Sequence, residues 1–255
     1  MLNKNYEVKQ IGELRTLEIY LYGEIQSDYY DWWTGKLIES KTSANYVRKA
    51  IDEAGTVDQI NVYINSCGGS VSEGNAIFNI LKRHTAYKTV YVDAFAYSIA
   101  SVIAMAGDKV VMPSNTTMMI HNAMMGVFGN SKELRKGADD LDIINEASCN
   151  SYLIKAGDKI DRETLDKLLE EETFMTAEIA LQYGLCDEIA NPVDVSKSVE
   201  IVEQSAKFKN PVAKKAMEYI KQQKTPPEPK VPETPEPKQE SGIEWFAKKF
   251  NLKEN

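Results

Sequence analysis

Histidine is the residue type used most often as a general base near neutral pH, and this sequence contains two. His121 directly follows an apolar run, Met118-Met119-Ile120. A polar residue at the loop end of a predicted strand stands where functional sites of α/β sheets collect. His84 follows Lys82-Arg83 at a predicted helix end, which is typical of a solvent-facing position. His121 is therefore the candidate base, and a hydrogen-bonded structural histidine is the alternative interpretation.

Ser98 is the candidate nucleophile because it lies between a predicted strand and a predicted helix. In Ala96-Tyr97-Ser98-Ile99-Ala100, alanines stand two residues before and two residues after the serine. Small residues at these positions permit the sharp strand-to-helix turn of a nucleophile elbow, and the helix N-terminus supplies free N–H groups. Because serine is also a frequent helix N-cap, a purely structural role is the alternative.

A glycine pair, Gly68-Gly69, follows another predicted strand and precedes a helix. Two glycines permit positive φ angles and a close approach to a ligand, so a backbone N–H there can point at a carbonyl oxygen. A plain turn and a phosphate-binding loop are the alternatives. The phosphate interpretation is weak because neither Gly-x-Gly-x-x-Gly nor Gly-Lys-Ser/Thr occurs.

A serine and histidine pair needs an acidic residue to orient the imidazole. Spacing does not choose among the acidic residues after His121, which include Asp139, Asp140, Asp142, Glu170, Glu171, Glu172 and Asp187. Glu172 has one local merit, since it lies at a predicted helix end beside Thr173-Phe174-Met175, where a buried aromatic ring could fix its position.

Strand and helix patterns alternate along the chain that carries these residues. The predicted strands are 17–25, 59–65, 89–92, 109–112, 117–120 and 186–190; the predicted helices are 42–54, 73–83, 131–156, 161–170 and 176–183, with a loop or insertion at 26–39. Residues 99–106 are apolar nearly all round, as in a buried helix. A strand, glycine turn, helix and strand form a β-α-β crossover, so the chain is predicted to be an α/β protein with a partly parallel sheet.

Composition excludes several classes of protein. No run approaches the roughly 18 apolar residues of a membrane span, and the first residues lack the apolar run of a secretory signal. The three cysteines (Cys67, Cys149 and Cys186) have no close pairing, which argues against a disulfide framework or a zinc site. The net charge of −8 disfavours nucleic-acid binding. We expect a cytoplasmic protein without a metal or organic cofactor.

The C-terminal part of the chain has a different composition. Six of the nine prolines lie between Pro226 and Pro237, where no core can form. The predicted organisation is a folded domain over 1–204, a possible connecting helix over 205–224, a proline-rich linker over 225–241 and a short amphipathic segment over 242–255.

Four segments in order resemble the Clp protease proteolytic subunit family, most closely its phage branch of prohead, or capsid maturation, proteases. They are INSCGGSV (64–71), AYSIAS (96–101), MIHN (119–122) and EETFMTA with ALQYGLCD (171–177 and 180–187), and the resemblance covers about residues 15–192. It implies a crotonase-like spiral of β-α-β units with a long handle helix. The C-terminal tail lies outside the resemblance, and its proline-rich composition predicts that it is disordered.

The resemblance also implies an ATP-independent serine endopeptidase that forms a homo-oligomeric ring. Its substrates would be proteins or peptides, including capsid or scaffold proteins, in the host cytoplasm if the protein is phage-encoded. Carried over by position, Ser98 is the nucleophile, His121 the general base and Glu172 the third catalytic residue. The resemblance assigns the oxyanion hole to the N–H groups of Gly69 and Ile99, and substrate binding to Gly68, Ser70 and Asn122.

Three residues depart from the family pattern. Cys67 replaces a proline, Tyr97 replaces a small residue, and Glu172 replaces an aspartate. Two other functions stay open: a crotonase-type coenzyme A thioester enzyme, which uses a similar pair of N–H donors, and a catalytically inactive ring or scaffold subunit. For the tail, the hypotheses are docking of residues 242–252 on a capsid, scaffold or portal partner, or removal by self-cleavage.

Overall fold

A mixed β-sheet is the centre of the fold, which the computed structural model describes over residues 4–192 and 211–224. The strands are β1 (Tyr6–Ile11), β2 (Leu14–Tyr22), β3 (Tyr29–Tyr30), β4 (Leu37–Ile38), β5 (Gln59–Ser66), β6 (Tyr87–Tyr97), β7 (Lys109–Pro113), β8 (Thr117–Ile120), β9 (Thr173–Thr176) and β10 (Glu188–Ala190). The helices are α1 (Ala44–Ala54), α2 (Val71–Arg83), α3 (Ile99–Ala104), α4 (Ser131–Ala156), α5 (Arg162–Glu170), α6 (Ala177–Gln182) and α7 (Pro211–Lys224).

The sheet is mostly parallel, as the β-α-β pattern predicts. Its main path in the described residues is β1-β2-β5-β6-β7-β10, with the antiparallel strand β1 at one edge. Strand β6 has two neighbours on the same side: β7 pairs with Thr89–Tyr91, and β8 pairs with Phe95–Tyr97. Because β6 and β8 are parallel, their C-terminal ends lie side by side, and each end leads directly into a candidate site residue.

Helix α3 is buried at every position, which confirms the prediction of a buried helix from its largely apolar sequence. It packs within the same hydrophobic core as the central strand β5, whose apolar residues Ile60, Val62 and Ile64 are fully buried. Full burial of one such aliphatic side chain stabilises the fold by about 1.5–3 kcal/mol. The start of α3, immediately after Ser98, is therefore anchored by the core.

The long helix α4 matches the prediction of 131–156 at both ends. Asn130 caps it by accepting hydrogen bonds from the N–H groups of Lys132 and Glu133, while the Glu133 side chain accepts from the Asn130 N–H. Gly157 follows with φ 58, a conformation that glycine adopts without strain. These signals are local, so the sequence alone defines this helix.

Several predicted boundaries need correction, and strand β9 (Thr173–Thr176) was not predicted. The strand predicted at 17–25 runs over Leu14–Tyr22, and its antiparallel partner β1 was not predicted because its side chains are mostly exposed and lack a buried-strand pattern. Strand β6 extends to Tyr97, well beyond the predicted 89–92. The predicted loop at 26–39 contains the small β3–β4 hairpin, in which Trp32 and Trp33 are exposed.

The C-terminal helix α7 lies within the predicted connecting helix at 205–224. The predicted linker, the amphipathic segment at 242–255 and the disordered tail lie outside the described residues. The chain divides into two compact units, residues 1–218 and 219–255, and the first holds the sheet and the candidate site. None of the helices in residues 4–192 and 211–224 combines the length and apolar character needed to cross a lipid bilayer.

Candidate active site

The Ser98 hydroxyl and the His121 imidazole share a hydrogen bond at the C-terminal ends of β6 and β8. Ser98 Oγ lies 2.7 Å from His121 Nε2. The pairing of Tyr97 with Met119 places the two strand ends together, and the Ser98 N–H donates to the Met119 carbonyl oxygen at 2.9 Å. This is the geometry in which a base removes a proton from a hydroxyl nucleophile.

The backbone of Ser98 has a positive φ angle, with φ 55 and ψ −131. Residues other than glycine rarely adopt a positive φ, and such conformations concentrate at functional sites. Ser98 precedes α3, but its side chain makes no capping hydrogen bond to that helix. The hydroxyl bonds to His121 instead, so the N-cap alternative does not describe this serine.

The glycine pair makes a close approach to Ser98. A Cβ atom at Gly68 would lie 2.7 Å from Ser98 Cβ and 2.9 Å from the Tyr97 carbonyl oxygen. A Cβ atom at Gly69 would lie 2.2 Å from the carbonyl oxygen of Ile25. Their φ angles, 84 and 148, also favour glycine. Gly68 is therefore required for packing against the Ser98 turn, and Gly69 for packing against the backbone of Ile25.

Two backbone N–H groups of these segments have no acceptor within the described part of the chain. Ile99 is the first residue of α3, where an N–H has no partner within the helix. Among the described residues, neither the Ile99 N–H nor the Gly69 N–H donates to an acceptor. The bonds of this loop to Ile25 use the carbonyl oxygen of Gly68 and the N–H of Ser70. The structure thus leaves free the two donors predicted for the oxyanion hole.

His121 is held in its neutral form by its surroundings. Burial lowers the pKa of the imidazole, the Glu172 carboxylate opposes that effect, and the Lys215 ammonium lowers the pKa further. The net shift is downward from the ordinary value of 6.5. At pH 7 the ring is therefore largely deprotonated, so that Nε2 can accept a proton from Ser98.

Glu172 occupies the turn between α5 and β9, with φ 50. The antiparallel pairing of Ile120 with Thr173 places this turn beside His121. Within the described residues, the hydrogen-bond partner of the Glu172 Oε2 is Lys215 Nζ and not the imidazole. The structure therefore brings the predicted acid close to the predicted base without a direct bond between them.

The predicted substrate-binding residues have different surroundings. Gly68 contacts the Ser98 turn, whereas Ser70 caps α2 by accepting from the Glu73 N–H. Asn122 lies on a polar cavity of about 280 Å³ between α4 and α5, lined also by Asp142, Asn145, Glu146, Cys149, Arg162, Asp166 and Glu170. The loop between β8 and α4 exposes apolar side chains after Asn122, namely Met124, Met125, Val127 and Phe128.

Tyr97 and Cys67, which depart from the family pattern beside the site, are both buried in the core. Tyr97 is fully buried; its hydroxyl bonds to Thr117 Oγ1 at 2.6 Å, and its ring meets Phe174 edge-on at 5.3 Å. Cys67 is a buried free thiol whose pKa burial raises to about 12, so it carries no thiolate at neutral pH. Neither residue competes with Ser98 as a nucleophile.

A buried hydrogen-bond chain behind Ser98 was not predicted from the sequence. The Ser101 hydroxyl donates to the Ser98 carbonyl oxygen at 2.6 Å and lies 2.7 Å from the hydroxyl of Tyr152 in α4. A serine hydroxyl has one proton to donate, so Tyr152 must donate to Ser101. Ser101 and Tyr152 are almost completely buried, and they connect the long helix to the strained turn. No local sequence signal joins residues so far apart in the chain.

Removing the Tyr152 hydroxyl is expected to weaken the support of the Ser98 turn. In Tyr152→Phe the ring still fills its space, but the Ser101 hydroxyl loses its donor, at a cost of roughly 1 kcal/mol. We expect kcat for a peptide substrate to fall about fivefold with little change in KM. The exposed Tyr30 provides the control Tyr30→Phe. An unchanged kcat and an unchanged melting temperature in Tyr152→Phe would show that the chain does not support the turn.

Comparisons with known proteins agree with this geometry. The family model described as Clp protease matches residues 12–193. The ATP-dependent Clp protease proteolytic subunit of Ligilactobacillus salivarius (strain UCC118) is 37% identical over 142 residues, which is 54% of this chain and 71% of the relative. The protein of the same name from Deinococcus radiodurans is 30% identical over 162 residues, which is 62% of this chain and 78% of the relative. The chain therefore belongs to the Clp protease family of serine-type endopeptidases.

Proposed function

We propose that this chain hydrolyses peptide bonds through an acyl-enzyme formed on Ser98. The observation that carries the proposal is the 2.7 Å contact between Ser98 Oγ and His121 Nε2 beside two open N–H donors. His121 removes the Ser98 proton as Oγ attacks the substrate carbonyl carbon. The imidazolium then gives that proton to the leaving amine, the C–N bond breaks, and an ester on Ser98 remains. Water, activated by His121, hydrolyses the ester.

The two N–H donors and Glu172 stabilise charges that develop during the reaction. The N–H groups of Gly69 and Ile99 donate to the oxyanion that forms on the carbonyl oxygen, and in comparable enzymes one such donor contributes about 3–4 kcal/mol. Glu172 stabilises the imidazolium, because a carboxylate beside His121 raises its pKa. In the arrangement described here this effect is electrostatic.

A homo-oligomeric ring is part of the proposal. The long helix α4 exposes Ile143 and Ile154, which are 71% and 68% accessible, and the preceding loop fully exposes Phe128. We take these exposed apolar side chains as the contact surface of the proposed ring. Contact with a second copy of the chain would remove these side chains from water, as membership of a ring-forming family also favours.

We further propose that cleavage of short peptides by this protein needs no ATP, and that its natural substrates are capsid or scaffold proteins. The first part is supported by the site, since every step uses only residues of this chain and water. The second is supported by the resemblance of the four sequence segments to prohead proteases. The names of the two relatives describe those proteins as ATP-dependent.

A direct assay tests the function. The full chain is incubated with a library of fluorogenic peptides in the absence of nucleotide, and separately with an enoyl-coenzyme A thioester. Peptide cleavage without ATP supports the proposal. Thioester hydration without peptide cleavage would establish the crotonase alternative, and intact assembly with neither activity would establish the inactive scaffold.

A further inference from the structure

The C-terminal helix α7 reaches the candidate active site from outside the family-matched region. The Clp protease match ends at residue 193, whereas α7 begins at Pro211. Val212, Ala213 and Ala216 are almost completely buried, so this face of the helix is packed against protein. The part of the helix up to Glu218 therefore belongs to the compact unit that contains the site.

Helix α7 places the ammonium group of Lys215 beside the carboxylate of Glu172, the predicted acidic residue of the site. Lys215 Nζ donates to Glu172 Oε2, and the side chains are 43% and 34% accessible. The neighbouring Lys214 is exposed and has no ion-pair partner among the described residues. Of two adjacent lysines of one helix, the partly buried Lys215 pairs with Glu172 and the exposed Lys214 does not.

A cation at this place opposes the charge that develops during catalysis. His121 becomes an imidazolium when it takes the Ser98 proton, and Glu172 is the carboxylate that stabilises that cation. Lys215 neutralises part of the Glu172 charge and adds a positive charge near the ring. Both effects favour the neutral imidazole and so disfavour the protonated form that the transition state requires.

We propose that Lys215 is a positioning residue that holds the Glu172 carboxylate and thereby attenuates hydrolysis. The inference rests on the proposed roles of Ser98, His121 and Glu172. Helix α7 then acts as a built-in brake, and any event that withdraws Lys215 from Glu172 activates the site. The brake is partial, because an ion pair with this degree of exposure is screened by solvent.

The test compares Lys215→Met with Lys215→Arg and Lys214→Met in the full chain. Met preserves the length of the side chain and removes its charge, whereas Arg preserves the charge. We expect Lys215→Met to raise kcat/KM for a peptide about two- to fivefold, the range for a partly exposed ion pair. Lys215→Arg and Lys214→Met should match the unsubstituted protein.

The pH profile supplies a second readout. The charged groups that act on His121 are Glu172, from the turn before β9, and Lys215, from α7. Because Lys215 lowers the His121 pKa and Glu172 raises it, the acid limb of kcat/KM should move to higher pH in Lys215→Met and to lower pH in Glu172→Gln. A merely structural lysine would leave the limb in place.

The outcomes separate this inference from the proposed function. An unchanged or lower kcat/KM in Lys215→Met, with the acid limb unmoved and Ser98→Ala inactive, would overturn the brake and leave the protease assignment intact. A Ser98→Ala variant that keeps full activity would overturn the proposed function itself. Equal activation by Lys214→Met would also overturn the specific role of Lys215.

Discussion

Replacing Ser98 with alanine is expected to abolish peptide hydrolysis, with turnover falling about 10⁶-fold, as for loss of the nucleophile in a comparable serine protease. The substitution deletes the Oγ atom that lies 2.7 Å from His121 Nε2. It should leave the fold intact, because the Ser98 side chain makes no capping bond to α3 and alanine meets the same backbone strain as serine at φ 55. The measurement is the initial rate on a fluorogenic peptide.

A matched serine provides the control for this variant. Ser114 is exposed in the turn between β7 and β8. Ser114→Ala should hydrolyse the peptide at the unsubstituted rate, and both variants should melt at similar temperatures. Retention of activity in Ser98→Ala, with a melting curve like that of the unsubstituted protein, would show that another group carries out the attack.

Replacing His121 with alanine is expected to cause a loss of similar size. Without an acceptor at Nε2, the Ser98 hydroxyl keeps its proton and the leaving amine has no proton donor. The effect should exceed that of any other substitution outside Ser98, since histidine supplies both proton transfers. Steady-state kinetics at pH 7 on the same peptide measure it, with rates down to the uncatalysed level recorded over long incubations.

The chain contains one further histidine for comparison. His84 follows α2, where its Nδ1 accepts from the Ala86 N–H at 3.1 Å, and it has no part in the site. His84→Ala should therefore retain near-normal turnover. If the two variants lost activity equally, the loss would reflect stability and would contradict a specific role for His121.

The core of the site could be predicted because its signals are local in the sequence. Alanines two residues before and two residues after Ser98 allow the tight turn, and at Gly68 only glycine fits against that turn. His121 was recognisable as the polar end of an apolar strand. The structure adds what spacing could not provide, namely the parallel register between β6 and β8 that joins the two strand ends.

Other parts of the fold depend on tertiary contacts that leave little trace in the sequence. Strand β1 is stabilised by pairing with β2 rather than by a buried face, so its residues lack an apolar alternation. The contacts of Tyr152 with Ser101 and of Lys215 with Glu172 join residues more than 40 positions apart. Neither a tyrosine within a helix nor a lysine in the C-terminal part of the chain is unusual by itself.

The position of Glu172 follows partly from a local sequence signal and partly from tertiary contacts. Its place after a predicted helix favoured it among many acidic residues, and the antiparallel pairing of β9 with β8 explains why that turn lies beside His121. Its partner, however, comes from α7, beyond the family-matched region. The proposed catalytic residues thus lie within the family-matched region, and the cation that acts on them lies beyond it.

Fluorophosphonate labelling followed by peptide mapping tests the central claim most directly. The reagent forms a covalent bond with a serine only where a base and an oxyanion hole activate the hydroxyl. We predict one labelled peptide, containing Ser98, with labelling abolished in His121→Ala and preserved in His84→Ala. Labelling of a different serine, or labelling of Ser98 that does not depend on His121, would contradict the account.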